Sequence, residues 1–217
     1  MSKSKIDICE IFYSLQGEST FAGLPCIFIR LSGCNLDCTW CDTDYAKHEF
    51  KAMSLDHILQ QIASYKCSLV EITGGEPLLQ KNTAPLISCL VEKGYRVLLE
   101  TNGSKSIKNI HPGCIKIIDI KCPSSSESDS FLFENFKLLT EQDELKFVIA
   151  QRHDYEFTKA IIKNNLSEIS PEKIHLSPVF GQIKPESIAE WMLEDNLNAR
   201  LSLQQHKIIW NPDKRGV

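Results

Sequence analysis

Residues 69–80 read LVEITGGEPLLQ, an apolar run rich in β-branched residues that ends in a glycine-containing turn. A short, nearly continuous apolar run of this kind is typical of a strand covered on both faces in a parallel sheet. We predict that its strand spans residues 69–74. Six further runs share the pattern, and we predict strands at residues 26–33, 96–101, 115–121, 144–150, 173–179 and 200–207.

The segments between these runs predict helices. In residues 54–65, apolar residues recur at i, i+3, i+4 and i+7 from Leu55, and Ser54 before them is a suitable N-cap. Pro185 occupies the first position of a second predicted helix. Alternating strands and helices imply right-handed crossovers and an α/β fold. Six or seven parallel strands are fewer than a closed barrel of about eight strands needs, so we predict an incomplete, open parallel β/α barrel.

Length and composition narrow the function classes. The chain has 217 residues, of which 42% are hydrophobic and 24% charged, which predicts a single globular domain over residues 1–217. A formal net charge of −4 leaves no basic footprint, so we expect a small-molecule substrate and no nucleic-acid partner. No secretory signal and no run of about 18 apolar residues is visible, so we expect a cytoplasmic protein without membrane contact.

Three of the nine cysteines are clustered in LSGCNLDCTWCDTDYA, residues 31–46. Cys34, Cys38 and Cys41 have the spacing CxxxCxxC, and no second CxxC or HxxxH supplies the other half of a structural zinc site. Three thiolates suit a 4Fe–4S cluster in which one iron stays open to a reactant. In barrels of parallel strands the active site lies at the carboxyl ends of the strands, where this loop and the turns TGGEP, ETNGS, DIKCPSS and SPVFGQ are predicted.

The segment CNLDCTWC resembles the signature of the radical S-adenosylmethionine (SAM) superfamily, including Trp40 before the last cysteine. The resemblance implies that SAM binds the open iron and that its one-electron cleavage gives a 5′-deoxyadenosyl radical that takes a hydrogen from the substrate. It also implies that Glu76 offers a carboxylate to the SAM ammonium. The cofactor-binding residues carried over in this way are Trp40, Asp42, Gly75, Glu76, Glu100, Asp119, Ile120, Lys121, Ser177, Pro178, Val179 and Phe180.

Nearly the whole chain, most closely residues 10–43 and 200–210, resembles the 7-carboxy-7-deazaguanine synthase family. This carbon–nitrogen lyase family converts 6-carboxy-5,6,7,8-tetrahydropterin to 7-carboxy-7-deazaguanine with loss of ammonia in the queuosine and 7-deazapurine pathway, and regenerates SAM. The resemblance implies a homodimer and an Mg²⁺ ion held by Thr43. We also expect an electron donor such as flavodoxin or ferredoxin. The implied substrate-binding residues are Leu15, Gln16, Gly17, Arg30 and Thr73.

Several alternatives stay open. Arg30, inside an apolar strand, is satisfied equally by a substrate carboxylate or by a structural Asp or Glu. His206 and Lys207 end the last predicted strand, where packing, solvent exposure and ligand binding are all compatible, and the tail 211–217 could fold over the site. His175 is expected to be a satisfied core histidine. The competing functions are a glycyl-radical enzyme activase and a non-catalytic iron–sulfur or metal-binding module.

Overall fold

A computed structural model describes residues 5–166 and 169–217, and one mixed sheet organises them. Its nine strands are β1 (Lys5–Leu15), β2 (Pro25–Leu31), β3 (Lys51–Ser54), β4 (Leu69–Gly74), β5 (Arg96–Thr101), β6 (Cys114–Ile120), β7 (Glu144–Ile149), β8 (Ile174–Pro178) and β9 (Arg200–Leu201). Their order is β3-β1-β2-β4-β5-β6-β7-β8-β9. Neighbours from β2 to β9 are parallel, and β1 is antiparallel to both β2 and β3. The open parallel barrel predicted from the sequence is confirmed.

The α-helices of the described ranges are α1 (Leu55–Ile62), α2 (Thr83–Glu92), α3 (Arg152–Asn165), α4 (Pro185–Glu194) and α5 (Gln205–Ile209). The side chain of Ser54 accepts a hydrogen bond from the backbone N–H of His57, so the predicted N-cap of α1 is confirmed. Pro185 begins α4, as the sequence predicted. None of the helices found in the described residues combines the length and the apolar character that crossing a membrane requires.

The prediction of a strand at residues 200–207 is wrong beyond its first two residues. After Leu201 the N–H of Ser202 still bonds to Leu176 O at 2.9 Å, but the chain then turns away from the sheet edge. Residues 205–209 form α5 instead, and the N–H of Gln205 donates to Gly17 O at 2.9 Å. A contact with a distant loop therefore overrides the strand pattern of this segment. Strands β1 and β3 were not predicted, and together they extend the parallel sheet by an antiparallel edge.

Side chains alternate in direction along each strand, so one face of the sheet forms the apolar core and the other forms the inner surface of the barrel. Ile27, Ile29 and Ile72 are fully buried in the cluster that α1 and α2 cover. Their neighbours along the strands, including Arg30 and Thr73, face the opposite side and line a cavity. Successive residues of a strand point to opposite faces, so the same strands supply both the apolar core and a polar interior.

Candidate active site

A cavity of about 660 Å³ occupies the inner face of the open barrel. The cysteine loop after β2 lines it at the carboxyl end of the parallel strands. The turn after β1 lines it from the opposite end, because β1 is antiparallel to β2. Residues 212–217 lie along its wall as well. Segments that are far apart in sequence thus surround one space.

All but four of the predicted site residues line this cavity. The structure brings together Leu15, Gln16, Gly17, Arg30, Cys34, Cys38, Trp40, Cys41, Asp42, Thr43, Thr73, Gly75, Glu100, Asp119, Lys121, Val179 and Phe180. It does not bring Glu76, Ile120, Ser177 or Pro178 to the cavity wall. Ile120 is buried in the apolar cluster behind the sheet, and Ser177 and Pro178 are buried in β8.

Glu76 is the clearest departure from expectation, because its carboxylate is completely enclosed. It accepts hydrogen bonds from Leu78 N at 2.8 Å, Thr101 Oγ1 at 2.8 Å and Asn102 N at 2.7 Å. Burial raises the pKa of Glu76, although these donors oppose the shift. The carboxylate therefore joins the TGGEP turn to the ETNG turn, and Glu76 does not line the cavity.

The three clustered cysteines all carry free thiols at the cavity. Burial raises the pKa of Cys34, and it raises that of Cys38 to about 11 although Lys121 opposes it. Metal binding must therefore displace thiol protons. Within the described ranges no three or more His, Cys, Asp or Glu side chains form a site for one metal ion. Three free thiols at one cavity have the donor chemistry of a 4Fe–4S cluster, which Cys34, Cys38 and Cys41 would hold.

The glycine pair of TGGEP lies directly against the cysteine loop. A Cβ on Gly75 would come within 2.3 Å of Gly33 O and 2.7 Å of Cys34 Cβ. At Gly74, φ is +144° and a Cβ would meet Leu31 O at 2.1 Å. Both positions require glycine, because any side chain would push the two loops apart.

Asp119, at the end of β6, carries an unsatisfied acceptor. Its Oδ2 accepts from Lys121 Nζ at 2.9 Å and lies 3.5 Å from Lys146 Nζ. Its Oδ1 is buried and has no hydrogen-bond partner among the described residues. A buried orphan acceptor is costly. A hydroxyl or ammonium donor of a bound SAM would satisfy it, so the site fits that cofactor.

Lys146, on β7, is the centre of an ionic network that sequence reasoning missed. Its Nζ lies 2.8 Å from Glu18 Oε2 and 2.5 Å from Glu100 Oε1, and its side chain is 8% exposed. Burial alone would lower the pKa of Lys146, but Glu100, Glu18 and Asp119 raise it well above its usual value. Lys146 is a charged residue inside the apolar run ELKFVIA, as Arg30 is inside its own apolar strand. A charged side chain is rarely buried unless it is paired, so Lys146 could have been identified by the argument used for Arg30.

Of the two alternatives left open for Arg30, the structure shows the ion pair with a structural acid, and binding of a substrate carboxylate stays a prediction. Its Nε donates to Glu10 Oε1 at 2.8 Å, and Tyr45 OH donates to the same oxygen at 2.8 Å. Among the described residues its hydrogen bonds use Nε alone, while the side chain lines the cavity. The structural ion pair thus holds one edge of the guanidinium and leaves the Nη atoms available to an anion.

The turn after β1 is held by its own backbone and by α5. The N–H of Gln16 donates to Leu24 O at 2.8 Å, and its carbonyl accepts from Gly23 N at 2.7 Å. These backbone groups are already engaged, so the side chain is what Gln16 offers to the cavity. A Cβ on Gly17 would lie 2.2 Å from His206 Nδ1. His206 therefore packs against this turn and also lines the cavity.

The C-terminal residues reach across to the cysteine loop and to the residues that follow it. Lys207 Nζ donates to Asp42 Oδ2 at 2.6 Å. The Arg215 guanidinium lies 3.5 Å from the centroid of the Tyr45 ring and 3.0 Å from Glu49 Oε2. Residues 212–217 therefore line the cavity beside the segment that follows the cysteines.

His175 is buried near the start of β8, but the expectation of a satisfied core histidine holds for one ring nitrogen only, because Nδ1 has no hydrogen-bond partner among the described residues. Its Nε2 lies 2.7 Å from Glu144 Oε2, and Glu144 also accepts from Thr20 N at 2.9 Å. Burial would raise the pKa of Glu144, but His175 and Thr20 lower it to about 2. The pair ties the loop after β1 to β7 and β8.

The fold and the site together define a radical SAM protein. A sequence profile of the radical SAM superfamily matches residues 28–192. The 7-carboxy-7-deazaguanine synthase of Koribacter versatilis is 43% identical, covering 98% of this chain and 100% of that one. The enzyme of the same name from Chlorobaculum tepidum is 45% identical, covering 100% and 99%. The crystal structure of QueE from Escherichia coli is 28% identical with a TM-score of 0.77, covering 93% and 95%.

The chain belongs to the 7-carboxy-7-deazaguanine synthase family, and it is a radical SAM enzyme. The family predicted from the sequence is thereby confirmed. Membership implies a 4Fe–4S cluster and SAM as cofactors. The Mg²⁺ ion, the homodimer and the individual roles of the site residues stay predictions. Neither competing function, a glycyl-radical enzyme activase or a non-catalytic metal module, is the family that these relatives define.

Proposed function

We propose that this chain, as one domain over residues 1–217, converts 6-carboxy-5,6,7,8-tetrahydropterin to 7-carboxy-7-deazaguanine with loss of ammonia and regenerates SAM. One observation carries the proposal. A single cavity brings three free cysteine thiols together with the turn after β1, Arg30 and Thr73. A glycyl-radical activase must admit a polypeptide and gives no role to that combination.

Cys34, Cys38 and Cys41 would hold the cluster, and SAM would lie against Gly75, Asp119 and the other predicted cofactor residues on the cavity wall. Bound there, the cluster and SAM supply the one-electron chemistry that removes a hydrogen atom from the substrate. Gly75 permits the close approach of the backbone, and Asp119 Oδ1 offers the acceptor for a cofactor donor. Glu76 would act indirectly, because its hydrogen bonds hold in place the turn that contains the two glycines.

The substrate is an anionic heterocycle, and the groups around the cavity suit it. The Nη atoms of Arg30 would bind its carboxylate in a two-pronged contact. Thr73 Oγ1 donates to Glu100 Oε2 at 3.0 Å, so the hydroxyl can offer only an acceptor to a ligand in the cavity. Thr43 would hold an Mg²⁺ ion through its hydroxyl, a hard oxygen of the kind that this ion prefers.

The ionic network compensates the charge of acidic side chains that line the cavity. Lys146 compensates Glu18 and Glu100 at the cavity, and residues 212–217 form part of the cavity lining. We further propose a homodimer in the cytoplasm that accepts electrons from flavodoxin or ferredoxin. Family resemblance supports these three points.

The proposal is tested by anaerobic reconstitution of the cluster and incubation with SAM, dithionite, Mg²⁺ and the carboxypterin. Mass spectrometry should detect 7-carboxy-7-deazaguanine. Cys38→Ala should abolish the product. Cys89→Ala is the matched control and should leave it unchanged, because Cys89 lies on α2 outside the cavity. An intact cluster that cleaves SAM but forms no deazaguanine would contradict the proposed reaction and leave the superfamily assignment intact.

A further inference from the structure

Glu71 is a buried acid at the cavity to which the proposed reaction gives no role. It lies on the inner face of β4, two residues before Thr73, and is 3% exposed. It lines the same cavity as Arg30 and Thr73. A buried carboxyl that faces a ligand space is a candidate for recognition.

The side chain of Gln16 fixes the orientation of Glu71. Gln16 Oε1 accepts from Glu18 N at 2.9 Å, which places Gln16 Nε2 against Glu71 Oε2 as a hydrogen-bond donor. The opposite amide orientation would set the NH₂ group against the N–H of Glu18, so the backbone decides the direction. One carboxyl oxygen of Glu71 is therefore engaged as an acceptor. No donor among the described residues reaches the other oxygen, Oε1.

The charges around Glu71 favour its neutral form. Glu18 faces it from the turn after β1 and Glu100 from β5, and the Cys26 thiol lies nearby on β2. Neither cation within range forms a salt bridge with Glu71: Arg30 pairs with Glu10 through Nε, and Lys146 pairs with Glu18 and Glu100. Burial, followed by Glu100 and Glu18, raises the pKa of Glu71 well above its usual value. Burial of an unpaired carboxylate is costly, whereas the acid form can be buried with its hydrogen bonds made.

On the basis of the proposed function, we propose that Glu71 binds the pterin as a neutral carboxylic acid, with Oε2 accepting from Gln16 and the Oε1 hydroxyl donating to a ring acceptor. The acceptor is the ring carbonyl oxygen or an unprotonated ring nitrogen. Glu71 is then a specificity-determining residue, because a heterocycle with an N–H at this point would face another donor. A residue that only supports Gln16 would show no such preference.

Two variants separate these roles. Glu71→Gln keeps an acceptor for Gln16 and an N–H donor for the ligand, and Glu71→Leu keeps neither. Binding of the carboxypterin is measured by anaerobic calorimetry on the reconstituted enzyme with SAM but without reductant. Glu71→Gln should bind within about 3-fold of wild type, and Glu71→Leu about 10- to 100-fold more weakly. Equal losses in both variants, or none in Glu71→Leu, would overturn the proposal.

The pH dependence of pterin binding provides a second test. It compares only the wild type with Glu71→Gln, so it does not depend on the folding of Glu71→Leu. Wild-type affinity should fall as rising pH ionises Glu71, because the hydroxyl donor is lost. Glu71→Gln cannot ionise there, so any fall that it shows reports the ligand and the other groups around the cavity. Identical pH profiles in the two proteins would refute a donor role for Glu71.

Product formation by the wild type is measured in parallel. If the wild type makes no deazaguanine while the binding differences hold, the proposed function fails and the donor role of Glu71 stands. If the wild type makes the product while both variants lose binding equally, Glu71 does not act as a donor and the proposed function stands.

Discussion

Replacing Lys146 with methionine should destabilise the protein more than any change to an exposed ion pair. The ammonium lies 2.8 Å from Glu18 Oε2, 2.5 Å from Glu100 Oε1 and 3.5 Å from Asp119 Oδ2. Methionine fills much of the same volume but leaves these carboxylates without their shared cation. Removing one partner of a buried ion pair typically costs about 3–5 kcal/mol. For a chain of this length, that corresponds to a fall in Tm of about 6–20 °C.

The assay is thermal unfolding of the reconstituted protein, followed by circular dichroism under anaerobic conditions. Lys159→Met is the matched control, because Lys159 pairs at the surface with Glu156 of the same helix, α3, and with Asp195 at the end of α4. That variant should melt close to wild type, since exposed pairs contribute little. If Lys146→Met melted no lower than Lys159→Met, the reasoning that Lys146 compensates the interior acids would be refuted.

The sign of the pH effect gives a second check on Lys146. Burial would raise the pKa of Glu18, but Lys146 lowers it to about 2. A depressed carboxyl pKa stabilises the fold above the unfolded value of about 4.3, and this stability is lost as the pH falls through the folded value. The difference in Tm between wild type and Lys146→Met should therefore be largest near neutral pH and shrink in acid.

Three further predictions concern other parts of the site. Glu144→Gln should remove stability that is present above the unfolded pKa and is lost between about pH 4.5 and pH 2, so its Tm deficit against wild type should shrink over that window. Gly75→Ala should lower the iron content per chain, measured after reconstitution, because its Cβ would meet a backbone oxygen at 2.3 Å; a full complement of iron would contradict this geometry. Arg215→Ala should raise the KM for the pterin with little change in Tm, because it frees the tail from Glu49 and Tyr45, and an unchanged KM would show that the tail does not shape the substrate site.

The parts of the structure that the sequence predicted are those set by local pattern. The run at residues 69–74 is a strand because its residues suit one, and its bounds agree with β4. The cysteine loop and TGGEP were recognisable because their spacing carries the chemistry. Lys146 is recognisable as a charged residue inside an apolar run, but its partners are not, because they are remote: Glu18 is 128 positions away and Glu100 is 46. Residues 205–209 were assigned to a strand because their contact with Gly17 cannot be read from neighbouring residues.

The antiparallel strand β1 explains how one cavity serves both cofactor and substrate. Parallel strands bring functional loops together at their carboxyl ends, and the cysteine loop, TGGEP, ETNG and Asp119 follow that rule. Because β1 runs the other way, its turn brings Gln16 and Glu18 to the amino ends of the same strands. Of the groups that we propose for pterin recognition, Gln16 thus comes from the end of the sheet opposite the cysteines, whereas Arg30 and Thr73 lie near the carboxyl ends of β2 and β4. A change in the turn after β1 should therefore alter substrate choice while leaving the cluster loop in place.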